Sequence, residues 1–453
     1  MIYLDNASTT KVSEDYRQII NRYLYDTYAN AGSIHRFGNE SRQAIENARK
    51  EVAKALDTNP GNVIFTSSGS EANNLAILGL EKYFRKSKMK HIITTKYEHH
   101  SVLNAMKELE QRGYDVTYLD VPDGVVKYSD FVKSVRKDTV FASIMYVNNE
   151  LGTENDIKSI YDFCQNNCIL LHSDCVQAMG IKNINMNIHA DLVSISGHKI
   201  HAPKGVGCLC VKEPDLLTSI IFGGEQEFGL RAGTENVAFI AAFGEAMCFS
   251  KASRVTTNQH IESVKGAFVE KFKELCEKQL IKYSFHTSSD VLQSKVCSIG
   301  IDDIDAETLV IMLGDNGVCV SAGAACSSHS SEPSHVLKAI GLSDKEARET
   351  IRVSFSRYNT IEEVQQAAQI IVNCVNELRE LQDENLVVNQ FTNKFAMCIQ
   401  TYVEDDNEYW TEGRVYEFSQ NGDIYEIETN LGGVGKVGKG YMCDRFEEYF
   451  EIQ

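Results

Sequence analysis

The sequence has no excess of basic residues, no long apolar run and no paired C-x-x-C element, and each absence removes a class of protein. Lysine and arginine number 45 against 63 acids, a formal charge of −18. A surface whose main business is nucleic acid needs a basic patch against phosphate, and this balance runs the other way. It suits a soluble chain. No apolar stretch approaches the ~20 residues of a membrane span. Met1-Ile2-Tyr3-Leu4-Asp5 has neither the basic start nor the apolar core of a secretory signal. A cytoplasmic protein with reduced thiols is therefore expected. The 13 cysteines follow no framework spacing. Cys164 and Cys168 stand at helical i,i+4 spacing, and Cys208 and Cys210 on one side of a strand. Neither pair fits a zinc pattern, so both read as core packing and no metal site is expected. Internal repeats and low-complexity segments are absent as well.

What is present is alternation. Val63-Ile64-Phe65-Thr66 reads as a strand, Ser67-Ser68-Gly69-Ser70 as a turn, and Glu71 to about Phe84 as a helix. Small residues at such a turn leave backbone N–H groups open at a helix N-terminus, which suits a phosphate, although many strand–helix turns look the same. Further strands are expected at His91–Thr95, Val116–Leu119, Val140–Tyr146 and Cys168–Leu171, with helices between them. Strands and helices alternating over about 140 residues argue for a largely parallel sheet covered on both faces.

The chain is organised around the next strand. Asp191-Leu192-Val193-Ser194-Ile195 is a short apolar run that ends in Ser196-Gly197-His198-Lys199. A lysine just past a strand end can form a Schiff base once burial makes its amine nucleophilic. Alone it could equally be a surface lysine. In open α/β sheets, however, ligands sit beyond the carboxyl ends of the strands. Gly69, Ser70, His99, Asn149, Asp174, Gln177, His198 and Lys199 all fall at those ends. So many in register mark a site.

Downstream, Phe222 to Thr234 is a Gly-rich loop with Arg231, ahead of an apolar helix from Val237 to about Ser250. From Tyr283 the pattern becomes short strands around one helix, which reads as a smaller α+β domain. Within it Cys326 has small and polar neighbours, so a reactive thiol and an incidental loop cysteine are both open readings. Ile351 to Tyr358 reads as a strand carrying Arg352 and Arg357, and Ile361 to about Leu381 as an amphipathic helix. The remainder holds the only tryptophan, Trp410, and a hairpin pattern around Asn421-Gly422. Leu431 to Gly440 lacks the spacing of a phosphate loop and reads as a plain turn.

At Lys199 together with Cys326 the chain resembles cysteine desulfurases of the NifS/IscS type, within the class V aminotransferase, fold type I group of pyridoxal-phosphate enzymes. The resemblance runs over about residues 1–380. It rests on Tyr3-Leu4-Asp5-Asn6-Ala7, on Thr66-Ser67-Ser68-Gly69-Ser70-Glu71-Ala72-Asn73-Asn74, on Glu98-His99 and on Asn148-Asn149-Glu150. It continues through Asp174-Cys175-Val176-Gln177, Ser196-Gly197-His198-Lys199, Arg231-Ala232-Gly233-Thr234, the Cys326 loop with Glu332-Pro333-Ser334-His335, and Ile351-Arg352-Val353-Ser354.

The resemblance implies an α/β fold with a large, mainly parallel-sheet domain over 1–255 and a small α+β domain with the cysteine loop over 256–384; the tail's own hairpin pattern adds an extra all-β extension over 385–453. The N-terminal segment is a candidate contributor to the second part. It also implies roles. Lys199 would hold pyridoxal 5'-phosphate as a Schiff base and shuttle the substrate Cα proton. Asp174 would pair with the pyridine nitrogen, and His99 would cover the ring and assist proton transfer. Gln177 and Asn149 would bond the ring-hydroxyl side, and Gly69, Ser70, Ser196 and His198 the phosphate. Thr234 would reach the phosphate of a neighbouring subunit, which implies a homodimer. Arg352, with Asn149, would bind the substrate carboxylate, and Arg357 ranks second for that clamp. Cys326 would take sulfur from L-cysteine as a persulfide, releasing L-alanine, and pass it to an acceptor protein for iron–sulfur cluster assembly, tRNA thiolation or another thio-modification. No direct nucleic-acid or membrane contact is expected.

The chain departs from the family pattern in two places. Its cysteine loop reads Ser-Ala-Gly-Ala-Ala-Cys-Ser-Ser-His where the family commonly has Ser-Ser-Gly-Ser-Ala-Cys-Thr-Ser, and its β-rich tail has no counterpart in the usual short C-terminus. Rival readings are a selenocysteine lyase or another β-lyase on the same scaffold, and a partner-binding protein with a degenerate catalytic half.

Overall fold

Seven short strands, rich in apolar residues with Thr, Ser, His or Asp interspersed, build the central sheet: Val63–Thr66 (β1), His91–Thr95 (β2), Asp115–Leu119 (β3), Thr139–Ser143 (β4), Leu170–Asp174 (β5), Leu192–Ser196 (β6) and Gly207–Val211 (β7). Every residue of β1, β2, β4, β6 and β7 is buried, because helices cover both faces. Val63 and Phe65 pack into one layer and Ile64 into the other. The order is β1-β7-β6-β5-β4-β2-β3. β7 alone runs against its neighbours β1 and β6; the other pairs are parallel. Gly207 is required at the start of β7, since a Cβ there would lie 2.6 Å from the Ile195 carbonyl and 2.9 Å from the Ser68 backbone.

The computed structural model describes residues 1–286, 294–323 and 332–387, and seven strands between Asn393 and Ile452. It divides into two units, Met1–Val375 and Asn376–Gln453. Among the described residues no helix is long and apolar enough to cross a membrane.

Some element boundaries differ from the sequence reading. The helix expected from Glu71 to Phe84 is two helices, Gly69–Leu78 (α1) and Glu81–Ser87. It starts two residues early because the Ser68 hydroxyl caps it, accepting the Glu71 N–H at 3.2 Å. The strand expected from Val140 to Tyr146 ends at Ser143. The chain then follows β5 with single bonds from Ile144 N–H to His172 O and Tyr146 N–H to Asp174 O, both 3.0 Å.

A second, antiparallel sheet in the first unit comprises Tyr283–Phe285 (β8), Val296–Ile301 (β9), Ser321–Ala322 (β10) and Thr350–Ser354 (β11), in the order β10-β11-β9-β8. The N-terminal segment joins this region. Ile2–Tyr3 pairs in parallel with Val318–Cys319, and the Leu4 carbonyl accepts the Ser354 N–H at 2.6 Å. That edge pairing carries Asp5, Ala7 and Ser8 to the ends of the large-sheet strands.

The second unit holds a five-stranded antiparallel sheet. The expected hairpin is there: Val415–Asn421 pairs with Ile424–Glu428, with Asn421 opposite Ile424. Val434–Gly438, within the segment read as a plain turn, is instead a strand paired with Ile424–Glu428. Glycine tolerates extended backbone, and the interleaved Val434 and Val437 favour it.

Candidate active site

The carboxyl ends of β1, β2, β5 and β6 open on one cleft of about 960 Å3, counting the space open to solvent. β6 ends at Ser196, and one turn, Gly197–Lys199, follows. The turn is tight: Gly197 N–H donates to the Val206 carbonyl at 2.9 Å, and a Cβ on Gly197 would lie 3.0 Å from that same oxygen. Lys199 therefore leaves the strand end at a fixed point. Its Nζ donates to the Ala7 and Ser8 carbonyls at 2.6 and 2.5 Å.

Asp174 closes β5 and is almost fully buried. Its carboxylate accepts the Val176 N–H at 2.9 Å and the Asn73 amide at 2.8 Å. Asn73 stands on α1, and its Nδ2 also donates to the Ser101 hydroxyl at 2.9 Å. Ser101 Oγ lies 2.8 Å from His99 Nδ1, and that nitrogen accepts the Ser101 N–H at 3.1 Å. Because Nδ1 is an acceptor, the ring proton is assigned to Nε2. Burial lowers the basicity of His99, and Lys199 adds to this while Asp174 opposes it. The result is a neutral imidazole whose orientation is tied to Asp174 through two side chains.

Gly69 and Ser70 open α1. A Cβ on Gly69 would sit 2.8 Å from the Val176 side chain and 3.2 Å from Ser196 Cβ, so only glycine lets these three elements meet. His198 Nδ1 lies 3.1 Å from the Thr9 hydroxyl. Burial, then Lys199, Lys204 and Lys295, push its pKa down to about 3. Gln177 Nε2 donates to the Ala7 carbonyl at 2.9 Å. From β11, Arg352 is 2 % exposed and donates to Asp5 (3.0 Å), Ser8 Oγ (2.5 Å), the Asn149 carbonyl (3.1 Å) and Ser321 Oγ (3.3 Å).

Six cleft residues carry a buried polar atom with no partner among the described residues: Asn73 Oδ1, Asn149 Oδ1, Glu150 Oε1, Gln177 Oε1, Ser196 Oγ and Arg352 Nε. Each such atom costs roughly 1–3 kcal/mol unless something bonds it. Six around one cleft describe a site shaped for a polar ligand.

Gly69, Ser70, His99, Asn149, Asp174, Gln177, Ser196, His198, Lys199 and Arg352 thus border the same space. Thr234 does not; it is exposed, just ahead of the helix Val237–Ala252. Cys326 lies outside the described residues. Arg357 is not a cleft residue, because β11 ends at Ser354 and the guanidinium stacks 4.0 Å over the Phe249 ring. Sequence reasoning gave no role to Asn73 or Ser101, whose only signal was four-residue helical spacing from Gly69 and nearness to His99. It also gave none to two buried acids. Glu98 accepts Thr95 Oγ1 and Met145 N–H, both at 2.9 Å, and burial pushes it up to about 8. Glu150 accepts the Ser334 hydroxyl at 2.5 Å and is likewise raised by burial.

Residues 2–367 match the family model described as aminotransferase class-V. The chain belongs to that family. Among its curated relatives is a cysteine desulfurase IscS of Pseudomonas putida, 38% identical over 387 residues that cover 84% of this chain and 94% of the relative. The cysteine desulfurase IscS of Dictyoglomus turgidum is 37% identical over 382 residues, 84% of this chain and 96% of the relative. Of the solved structures, a NifS-like protein superposes with a TM-score of 0.76 at 31% identity, covering 83% of this chain and 99% of that one. SspA in complex with cysteine superposes at 0.67 and 30% identity, covering 80% and 100%.

Proposed function

We propose that this protein is a cysteine desulfurase dependent on pyridoxal 5'-phosphate, which turns L-cysteine into L-alanine and carries the sulfur as a persulfide on Cys326. The unpartnered buried polar atoms that border the cleft with Lys199 support this most strongly, since these acceptors and donors fit that cofactor and its substrate. Asp174 is an acceptor for a protonated pyridine nitrogen. The opening turn of α1, with Ser196 and His198, offers donors to a phosphate. The amide groups of Asn149 and Gln177 await a hydroxyl. Lys199 is the amine for the cofactor aldehyde. When bound, the cofactor supplies an electron sink that loosens the substrate Cα proton and Cβ–S bond.

The chain's own residues do the rest. Arg352 binds the substrate carboxylate, held in place by Asp5 and Ser8. Lys199 and His99 hold and move protons at the substrate carbon. The Cys326 thiolate takes the substrate sulfur, so an S–S bond replaces the C–S bond and a proton replaces sulfur on carbon. Cysteine plus thiol becomes alanine plus persulfide, in balance.

We assign the 256–384 region, with the N-terminal segment, as the part that carries the Cys326 loop, and 385–453 as an extension toward the sulfur acceptor. We also propose a homodimer in which Thr234 completes the partner's phosphate site. The exposed Phe222 and Phe228 on the same loop support a covered surface there. Ten cysteines between Cys164 and Cys374 are free thiols, in keeping with a reducing cytoplasm.

The test is alanine released from L-cysteine by the purified protein and by Cys326→Ala. Release by the parent and a near-complete loss in the variant is expected. Equal release by both would refute the persulfide route, and none from the parent would refute the substrate.

A further inference from the structure

Next to the cleft lies a smaller pocket of about 430 Å3, again counting the space open to solvent, bordered by Lys199, His201, Ser250, Lys295, Ser356 and Arg357 among others. Among the described residues none that lines it is acidic. Lys295 precedes β9 and is only 6 % exposed. Its backbone is fixed by the bond from Phe355 N–H to its carbonyl at 2.8 Å. Its ammonium has no hydrogen bond or ion pair among the described residues, and its nearest charges are Lys199 and Arg352, both positive. Arg357 brings a third cation, held by Phe249 and Tyr358 rather than by an acid.

A buried ammonium beside like charges either loses its proton or acquires an anion. Burial, then Lys199 and Arg352, push Lys295 down to about 7, so the protonated form remains within reach at neutral pH. Size narrows the choice of anion. Only about 40 Å3 of the pocket admits the centre of a water-sized particle, which favours one or two small ions over a phosphate ester or an amino acid.

We propose that this cavity is a binding site for a small univalent anion, of the size of chloride or hydrosulfide, held by Lys295 with Arg357. The anion neutralises the second cation beside Lys199. Chloride would come from solvent, and hydrosulfide from reduction of a persulfide by two equivalents of external thiol, which leave as a disulfide; only the hydrosulfide source rests on the function proposed above.

The probe is bromide, located by anomalous diffraction in crystals of the intact cofactor-loaded protein. A bromide peak at ion-pair distance from Lys295 Nζ is expected. In solution, bromide should raise the thermal midpoint of the parent more than gluconate does at equal ionic strength. Loss of the charged donor in Lys295→Gln should weaken bromide at least about tenfold. No peak in the cavity, or a peak and a midpoint rise that persist unchanged in Lys295→Gln, would overturn the proposal and leave Lys295 a neutral buried amine. The parent diffraction result decides the matter even if that variant fails to fold, and Arg357→Gln gives a second reading of the solution effect. Displacement of bromide by hydrosulfide at lower concentration than by chloride would name hydrosulfide as the ligand. The reverse order would name solvent halide, and both orders support an anion site.

Discussion

The two sides of Lys199 are built differently. On the cleft side charges of both signs stand together: Arg352 pairs with Asp5 at 3.0 Å, and Asp174 accepts two hydrogen bonds from neutral amides. The atoms without partners there are mostly amide and hydroxyl groups. On the other side Lys295 is buried beside cations, and no acid among the described residues lines the cavity. The difference separates two kinds of readiness. The cleft holds charges of both signs and is incomplete in hydrogen bonds, as suits a large polar guest. The small cavity is incomplete in charge, as suits an ion.

Substitutions that break the cleft's order should have the largest effects. Lys199→Ala is expected to lower alanine formation by about 1,000-fold or more, because the nucleophilic amine is lost. Asp174→Asn keeps the shape and removes the charge. Its kcat should fall about 100-fold or more, with much weaker retention of cofactor on dialysis. Arg352→Lys loses the planar fork, so KM for cysteine should rise about tenfold with kcat changed less. Each is read by steady-state assay of alanine.

Asn73 sharpens the comparison, since it acts only through its neighbours. Asn73→Ala frees Asp174 and Ser101 and should lower kcat by about tenfold while shifting the pH profile of kcat. A purely structural role would lower stability and leave that profile in place.

The smallest effect is expected at Glu98. Its carboxyl has an ordinary value near 4.5 and is raised to about 8 in the fold. The folded protein therefore holds an extra proton between those values, and stability falls as pH rises through that window. Glu98→Gln keeps the acceptor for Thr95 and Met145. It should be near neutral at about pH 5 and stabilising by about 1 kcal/mol or more at about pH 9, read by denaturant melts. Equal pH dependence in parent and variant would show that Glu98 does not titrate there.

The cleft was legible in sequence because its residues interrupt apolar runs. Asp174 ends the run through Leu170 and Leu171, and Ser196 to Lys199 end the run from Leu192. A parallel sheet brings such interruptions to one edge by its topology alone. Asn73 and Ser101 were illegible, because ordinary polar residues on a helix give no sign of what they face. Lys295 was hidden for the opposite reason. A lysine ahead of a strand reads as solvated, and only the packing of Phe355, Ile261 and Phe249 around the cavity shows otherwise. Val434–Gly438 was misread because its glycines outweighed its valines.

The account's central claim is that Lys199, and not the neighbouring Lys295, is the amine that receives the cofactor. Borohydride reduction of the purified protein followed by peptide mass mapping tests this directly. A phosphopyridoxyl group on Lys199, with Lys295 unmodified, is the predicted result; a group on Lys295, or on neither lysine, would contradict it.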